Sequence, residues 1–191
     1  MGADMDTPEI LRRGVGEFDA RVAQIGDAHW DAATPDTEWN VRDLVAHVVA
    51  ENLWAVPLFG GASIAEVGDQ FDGDVLGADP QRSWADASGP ALRAADEPGA
   101  MQRTVHLSFG DFPGHEYAMQ LFADHLIHAW DLARAIGADE RLDPELVEAC
   151  AAWFAGMEEG YRAAGAIAAR PPVPDGADAQ TRLLAMFGRQ A

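Results

Sequence analysis

The sequence predicts an all-α fold: a four-helix bundle with a short extended segment and a small C-terminal helix. Three observations carry this expectation. Apolar residues recur at helical spacing through four main helices with smaller additions. Thr7-Pro8, Asn40, Asp79-Pro80 and Asp143-Pro144 stand where helix N-termini are expected. Only one stretch, Arg103 to Phe109, alternates in the manner of a strand.

The first helix starts at Thr7-Pro8 and follows Leu11, Val15, Phe18, Val22 and Ile25, with Gly26 as its end. Asn40 caps the second, and Asp43 adds negative charge to its first turn. Val41, Leu44, Val45, Val48 and Asn52 share a face there, and the helix is expected to end before Pro57 or Gly60. Residues 60–79, rich in Gly and Asp, read as a loop, with a mobile lid over 60–77 as the functional alternative. A third helix opens at Asp79-Pro80, carries Trp84, Ala87, Ala91 and Leu92, and stops near Pro98-Gly99. Val105, Leu107 and Phe109 then alternate with Thr104, His106 and Ser108, and Gly110 to Gly114 reads as a turn. A long helix is expected from about His115 to Ile136, with Gly137 suited to its C-terminal turn. Leu146, Cys150, Trp153, Met157 and Tyr161 form the stripe of the next helix. Residues 171–174 are extended, and Asp178 caps a short helix bearing Leu183, Leu184 and Phe187.

At 191 residues the chain fits a single domain spanning 1–191. Its net charge of -19, with Arg as the only strongly basic side chain, argues against nucleic-acid and anionic-membrane partners. No apolar run approaches the roughly 20 residues a membrane span needs. The acidic N-terminus lacks the basic and apolar regions of a secretory signal, so a cytoplasmic location is expected. Cys150 is the single cysteine, which rules out an intrachain disulfide. Its neighbours Ala149, Ala151 and Trp153 describe an inert buried thiol, with a catalytic nucleophile as the alternative.

The chemistry is concentrated in the long helix. At about 100° per residue, Tyr117, Leu121, Asp124, His128 and Leu132 fall on one side, and Gln120, Asp131 and Arg134 mark a more polar edge. A carboxylate and an imidazole one turn apart on an apolar face can ligate one metal ion. They can equally form a buried hydrogen bond that only ties helices together. A metal site needs another ligand. His47 on the second helix is the best placed, although on a helical wheel it lies beside Asp43, Glu51 and Trp54. His125, three residues before His128, competes with Asp124 for the third position. Gly-x-Gly-x-x-Gly, paired-cysteine and Gly-x-Ser-x-Gly motifs are all missing.

Three segments carry a resemblance. Glu38-Trp39-Asn40-Val41-Arg42-Asp43-Leu44-Val45-Ala46-His47-Val48 resembles the helix of the DinB-like metalloenzymes that supplies their first histidine ligand. His128-Ala129-Trp130-Asp131-Leu132-Ala133-Arg134-Ala135-Ile136-Gly137 resembles the second motif of the actinobacterial group related to mycothiol-dependent maleylpyruvate isomerase. Arg182-Leu183-Leu184-Ala185-Met186-Phe187-Gly188-Arg189 is similar to the ending common in one of its subgroups. The resemblance implies a DinB-like four-helix bundle and a divalent metal, zinc or nickel, on His47, Asp124 and His128. In the isomerase the acidic ligand is a Glu, and His125 stays the alternate ligand.

It further implies a metal-dependent enzyme that uses mycothiol as a thiol co-substrate for transfer or isomerisation on a small electrophile. By position, Glu51, one turn from His47, reads as a general base or a partner of His47, with a solvated charge as the alternative, and Trp54 and Tyr117 read as lining the substrate and cofactor pocket, with core packing as the alternative. Asp43 and Asp131 are expected only to stabilise helices. The isomerase has a further C-terminal domain, and with this chain given to Ala191 its specific reaction is not expected. The alternatives are a metal-dependent hydrolase, lyase or cyclase of secondary metabolism, and a non-catalytic metal- or ligand-binding bundle. Trp30, Trp39, Trp54 and Trp84 are the residues that could supply a homodimer surface.

Overall fold

In the computed structural model, which describes residues 6–36 and 38–191, the chain is mostly helical with one small hairpin. Met1 to Met5, part of the acidic N-terminus expected to carry no secretory signal, lie outside the described residues. Helix α1 (Thr7–Val22) is capped by the Asp6 carboxylate, which accepts from Glu9 N, and its stripe of Leu11, Val15, Phe18 and Val22 is buried. Helix α2 (Val41–Phe59) opens with a reciprocal box in which Asn40 Oδ1 accepts from Asp43 N and Asp43 Oδ2 accepts from Asn40 N. It runs through Pro57, beyond the first of the two ends expected, because the proline falls in the last turn.

The segment 60–79 is not all loop. Ser63 and Glu66 close a capping box around a one-turn helix α3 (Ile64–Val67). Helix α4 (Pro80–Asp96) is capped by Asp79 and buries Trp84, whose Nε1 donates to Asp19 on α1 at 2.8 Å.

Strands β1 (Thr104–Leu107) and β2 (Gly110–Pro113) form an antiparallel hairpin. The turn expected at 110–114 is displaced to Ser108-Phe109, and Gly110 takes φ 144° to start the return strand. Phe109, one of the apolar positions of the alternating segment, therefore sits 66% exposed at the hairpin tip. Helix α5 (Gly114–Ile136) follows directly and ends at Gly137 in the left-handed region. Helix α6 (Pro144–Phe154) ends before the expected stripe is complete, so Tyr161 lies on a separate helix α7 (Glu158–Ala163). Helix α8 (Ala179–Met186) is capped by Asp178.

Helix α1 packs along α5 and α2 along α4, while α2–α5 and α1–α4 contacts join the two pairs. The shared core includes Phe18, Leu44, Trp84, Phe122, Leu126 and Trp130, all essentially without solvent exposure. Each such side chain contributes about 1.5–3 kcal/mol of burial, so the faces that carry the polar groups of α2 and α5 are held by apolar packing on either side. Helices α6 and α8 pack on each other, and α6 also lies against α5. Trp84 is buried against Phe18, and Trp30, Trp39 and Trp54 pack partly buried against the core. No helix of the described residues is long and apolar enough to cross a membrane.

Cys150 is fully buried on α6, and burial pushes its thiol up to about 12. The native protein is therefore expected to leave Ellman's reagent unreacted over an hour at pH 8 and to release one thiol equivalent in guanidinium. Rapid reaction of the folded protein would revive the nucleophile alternative.

Candidate metal centre

Helices α2 and α5 bring three donor groups to one point. The box at Asn40 and Asp43 sets where α2 begins, and so where His47 faces α5. On α5, Asp124 and His128 are one turn apart, so their side chains project in the same direction. Asp124 Oδ1 lies 3.2 Å from His47 Nε2 and 3.4 Å from His128 Nε2. One ligand atom from each of the three residues falls within 4.8 Å of the other two. Trp39 packs its ring on both imidazoles, at centroid distances of 4.8 Å to His47 and 5.7 Å to His128.

The electrostatics are those of a compressed ion cluster. Burial alone would raise the Asp124 pKa, but His47 and His128 outweigh it and hold the carboxyl well below its usual value. Burial alone would lower both histidines, and the carboxylate reverses this: His47 is raised and His128 reaches about 9. Asp124 Oδ2 remains buried with no hydrogen-bond partner. An ionised oxygen left in that state is costly unless another positive group meets it. Two imidazole nitrogens and a carboxylate oxygen are a donor set suited to zinc, nickel or a similar divalent ion. The residues present therefore fit such a metal.

The cluster forms one wall of a cavity of about 340 Å³. Glu51, one turn beyond His47, borders it, and burial together with nearby Asp124 raises its carboxyl to about 6. Tyr117, Ile127, Trp153, Tyr161 and Phe187 supply much of the remaining wall, and Phe109 reaches it from the hairpin tip.

The model of the family described as mycothiol maleylpyruvate isomerase N-terminal domain matches residues 11–133. The chain belongs to this family. Two proteins of Mycobacterium tuberculosis are also similar to it: "Uncharacterized protein Rv0738" of strain ATCC 25618/H37Rv and "Uncharacterized protein MT0763" of strain CDC 1551/Oshkosh. Each is 33% identical over 191 residues, covering 97% of this chain and 98% of the relative. No solved structure matches significantly.

The family segment contains the three donors, Glu51 and Tyr117. The structure places the other sequence candidates elsewhere. His125 does not join the group: it is fully buried, its Nδ1 lies 2.6 Å from Leu121 O, and its Nε2 lies 2.9 Å from Asn52 Nδ2. Both ring nitrogens are thus engaged away from Asp124. Trp54 packs on Phe71 at 5.8 Å and is not among the residues lining the cavity. Tyr117 does line it, with its hydroxyl buried and unpartnered.

Asp131 requires a correction. It is not on a polar edge but completely buried, 3.0 Å from His128 Nδ1. Arg189, beyond the family segment, donates to it from Nη2 at 2.8 Å and also reaches Asp36. Neither Arg189 nor Asp36 stands out as a site residue in the sequence, because their relation to the helix pair exists only in the folded chain. The cue available in sequence is the ending Arg182–Arg189, which carries no assigned role there.

Proposed function

We propose that this chain is a divalent-metal-dependent enzyme on a DinB-like four-helix bundle, using a thiol co-substrate such as mycothiol for transfer or isomerisation on a small electrophile. The observation that carries the metal part is the convergence of His47 and His128 on Asp124 Oδ1 at a cavity wall, with Asp124 Oδ2 left buried and unpartnered. Membership of the mycothiol isomerase family supports the thiol part.

His47, Asp124 and His128 would hold the ion, and three protein ligands are the number that catalytic zinc sites use when they keep a position open. When bound, such an ion supplies acidity, so that a thiol or water is deprotonated at neutral pH. The chain's own residues prepare the rest. Asp131 accepts at His128 Nδ1 and leaves Nε2 facing the cluster. The Glu51 carboxylate, raised by its surroundings to about 6, takes up a proton at the cavity wall and returns it. The apolar and aromatic wall receives the body of the substrate and keeps bulk water from the reacting atoms.

Elemental analysis of the purified chain, followed by zinc and nickel titration, tests this first. Roughly one equivalent of metal per chain is expected for a single three-ligand site. Less than about a tenth, with no uptake on titration, would sink the metal part. With metal bound, mycothiol and a chloro-dinitro-arene are expected to give conjugate, and Glu51→Gln to slow this by about 10²-fold or more if Glu51 moves the proton. Metal binding without any thiol turnover would instead favour hydrolysis or a lyase step at the same centre.

A further inference from the structure

Arg189 stands three residues past α8, in a segment to which the proposed chemistry gives no task. The end of α8 determines where its side chain goes. Gly188 N donates to Ala185 O, and Arg189 N to Leu184 O at 2.8 Å, while Gly188 adopts φ 78°. That paired closure is the Schellman turn, which reverses the chain sharply after a helix. It returns Arg189 to α5, where its guanidinium is almost fully committed. Nε lies 3.2 Å from Asp131 Oδ1, Nη2 lies 2.8 Å from Asp131 Oδ2 and 3.3 Å from Asp36 Oδ2, and Nη1 donates to Phe187 O.

Asp131 has no solvent exposure and sits between Arg189 and His128 Nδ1. An isolated buried carboxylate would be strongly penalised and would tend to bind a proton or turn away. The planar guanidinium fork both compensates its charge and fixes the plane of its oxygens. One of those oxygens is the atom that faces His128.

We propose that Arg189 is a positioning residue of the candidate centre, which through Asp131 fixes the His128 ring with Nε2 toward Asp124 and His47. The relay joins the segment after α8 to a donor on α5, across 58 residues of sequence between Arg189 and Asp131. Its consequence for metal affinity rests on the metal-enzyme reading above; its consequence for the ring itself does not.

Two measurements on the full chain separate these. In the metal-free protein labelled with ¹⁵N-histidine, a hydrogen-bonded Nδ1 proton of His128 is expected, assigned by its absence in His128→Ala. It is expected to disappear in Arg189→Met. Zinc affinity, read by chelator competition, is expected to fall about 10–100-fold in Arg189→Met, the usual effect of losing a partner that orients a ligand. Arg189→Lys keeps the charge without the fork and is expected to lose at least about threefold. In Asp131→Asn, adding Arg189→Met is expected to cost little more, since both changes break the same relay. A folded Arg189→Met protein that keeps the resonance and binds zinc within about twofold of wild type overturns the proposal, even if it melts earlier. If wild type takes up no zinc, the metal reading fails and the resonance alone decides the relay. Should Arg189→Met not fold, unchanged resonance and affinity in Arg189→Lys overturn it equally.

Discussion

His128→Ala is expected to remove metal binding almost completely. Losing a residue that merely orients a ligand already costs about 10–100-fold, so deleting a ligand should cost on the order of 10³-fold or more. The structure concentrates this effect in His128, because its ring is the most enclosed of the three donors. It is only 7% exposed, and it faces Asp124 with one nitrogen and Asp131 with the other. His47 is more open, and Asp124 can offer either oxygen. His125→Ala provides the contrast. Its imidazole is wholly buried between Leu121 O and Asn52, so truncation leaves a cavity and polar groups without partners, at about 2–4 kcal/mol. Metal affinity of the folded His125→Ala protein should stay close to wild type. Elemental analysis and zinc competition on the two variants, beside their melting curves, check both halves. Tight binding by His128→Ala, or loss of metal from folded His125→Ala, would reverse the assignment and return His125 to the centre.

The difference between these two histidines also marks how far the sequence can be read. Both lie toward the interior of one helix, and periodicity ranks them alike. What separates them is the neighbour each meets: Asn52 for His125, His47 and Asp124 for His128. The Asp124–His128 spacing is legible because i,i+4 geometry is local to one helix. His47 is legible through its motif, though its helical wheel places it beside charges. Asp131 misleads for the same reason that makes it useful: a carboxylate at the edge of an apolar stripe looks solvated until Arg189 arrives from elsewhere in the chain. The helices themselves follow from their caps, and Asp6, Asn40, Asp79, Asp143 and Asp178 all accept from backbone N–H groups at helix starts. The hairpin is harder. Its turn is set by pairing of Leu107 with Gly110, a contact that the Gly-Asp-Phe-Pro-Gly composition of 110–114 conceals.

Gly114→Ala is expected to be the most damaging small substitution outside the centre. Helix α5 has no side-chain cap, because the preceding residue is Pro113. The first N–H groups are satisfied by the incoming chain instead: Gly114 N donates to Arg103 O at 2.8 Å and His115 N to Met101 O at 2.9 Å. This arrangement brings the start of the helix against the backbone of residues 100–103. A Cβ at position 114 would stand 1.9 Å from Ala100 O and 2.9 Å from its carbonyl carbon. The obstacle is backbone rather than a flexible side chain, so relief requires moving the helix start or the turn, and either motion breaks the bonds that replace the cap. The expected cost is about 3 kcal/mol, which for a chain of this size lowers the melting temperature by about 6–12 °C. Gly16→Ala is the matched control. Gly16 is an exposed helical position, and a methyl group added there would meet nothing within 4 Å, so alanine should stabilise α1 by about 0.5–1 kcal/mol. Guanidinium unfolding of both variants decides the matter. If Gly114→Ala unfolds at the same midpoint as wild type, the helix start is not held by its contact with residues 100–103, and the register that presents Asp124 and His128 must be fixed by the apolar packing of α5 alone.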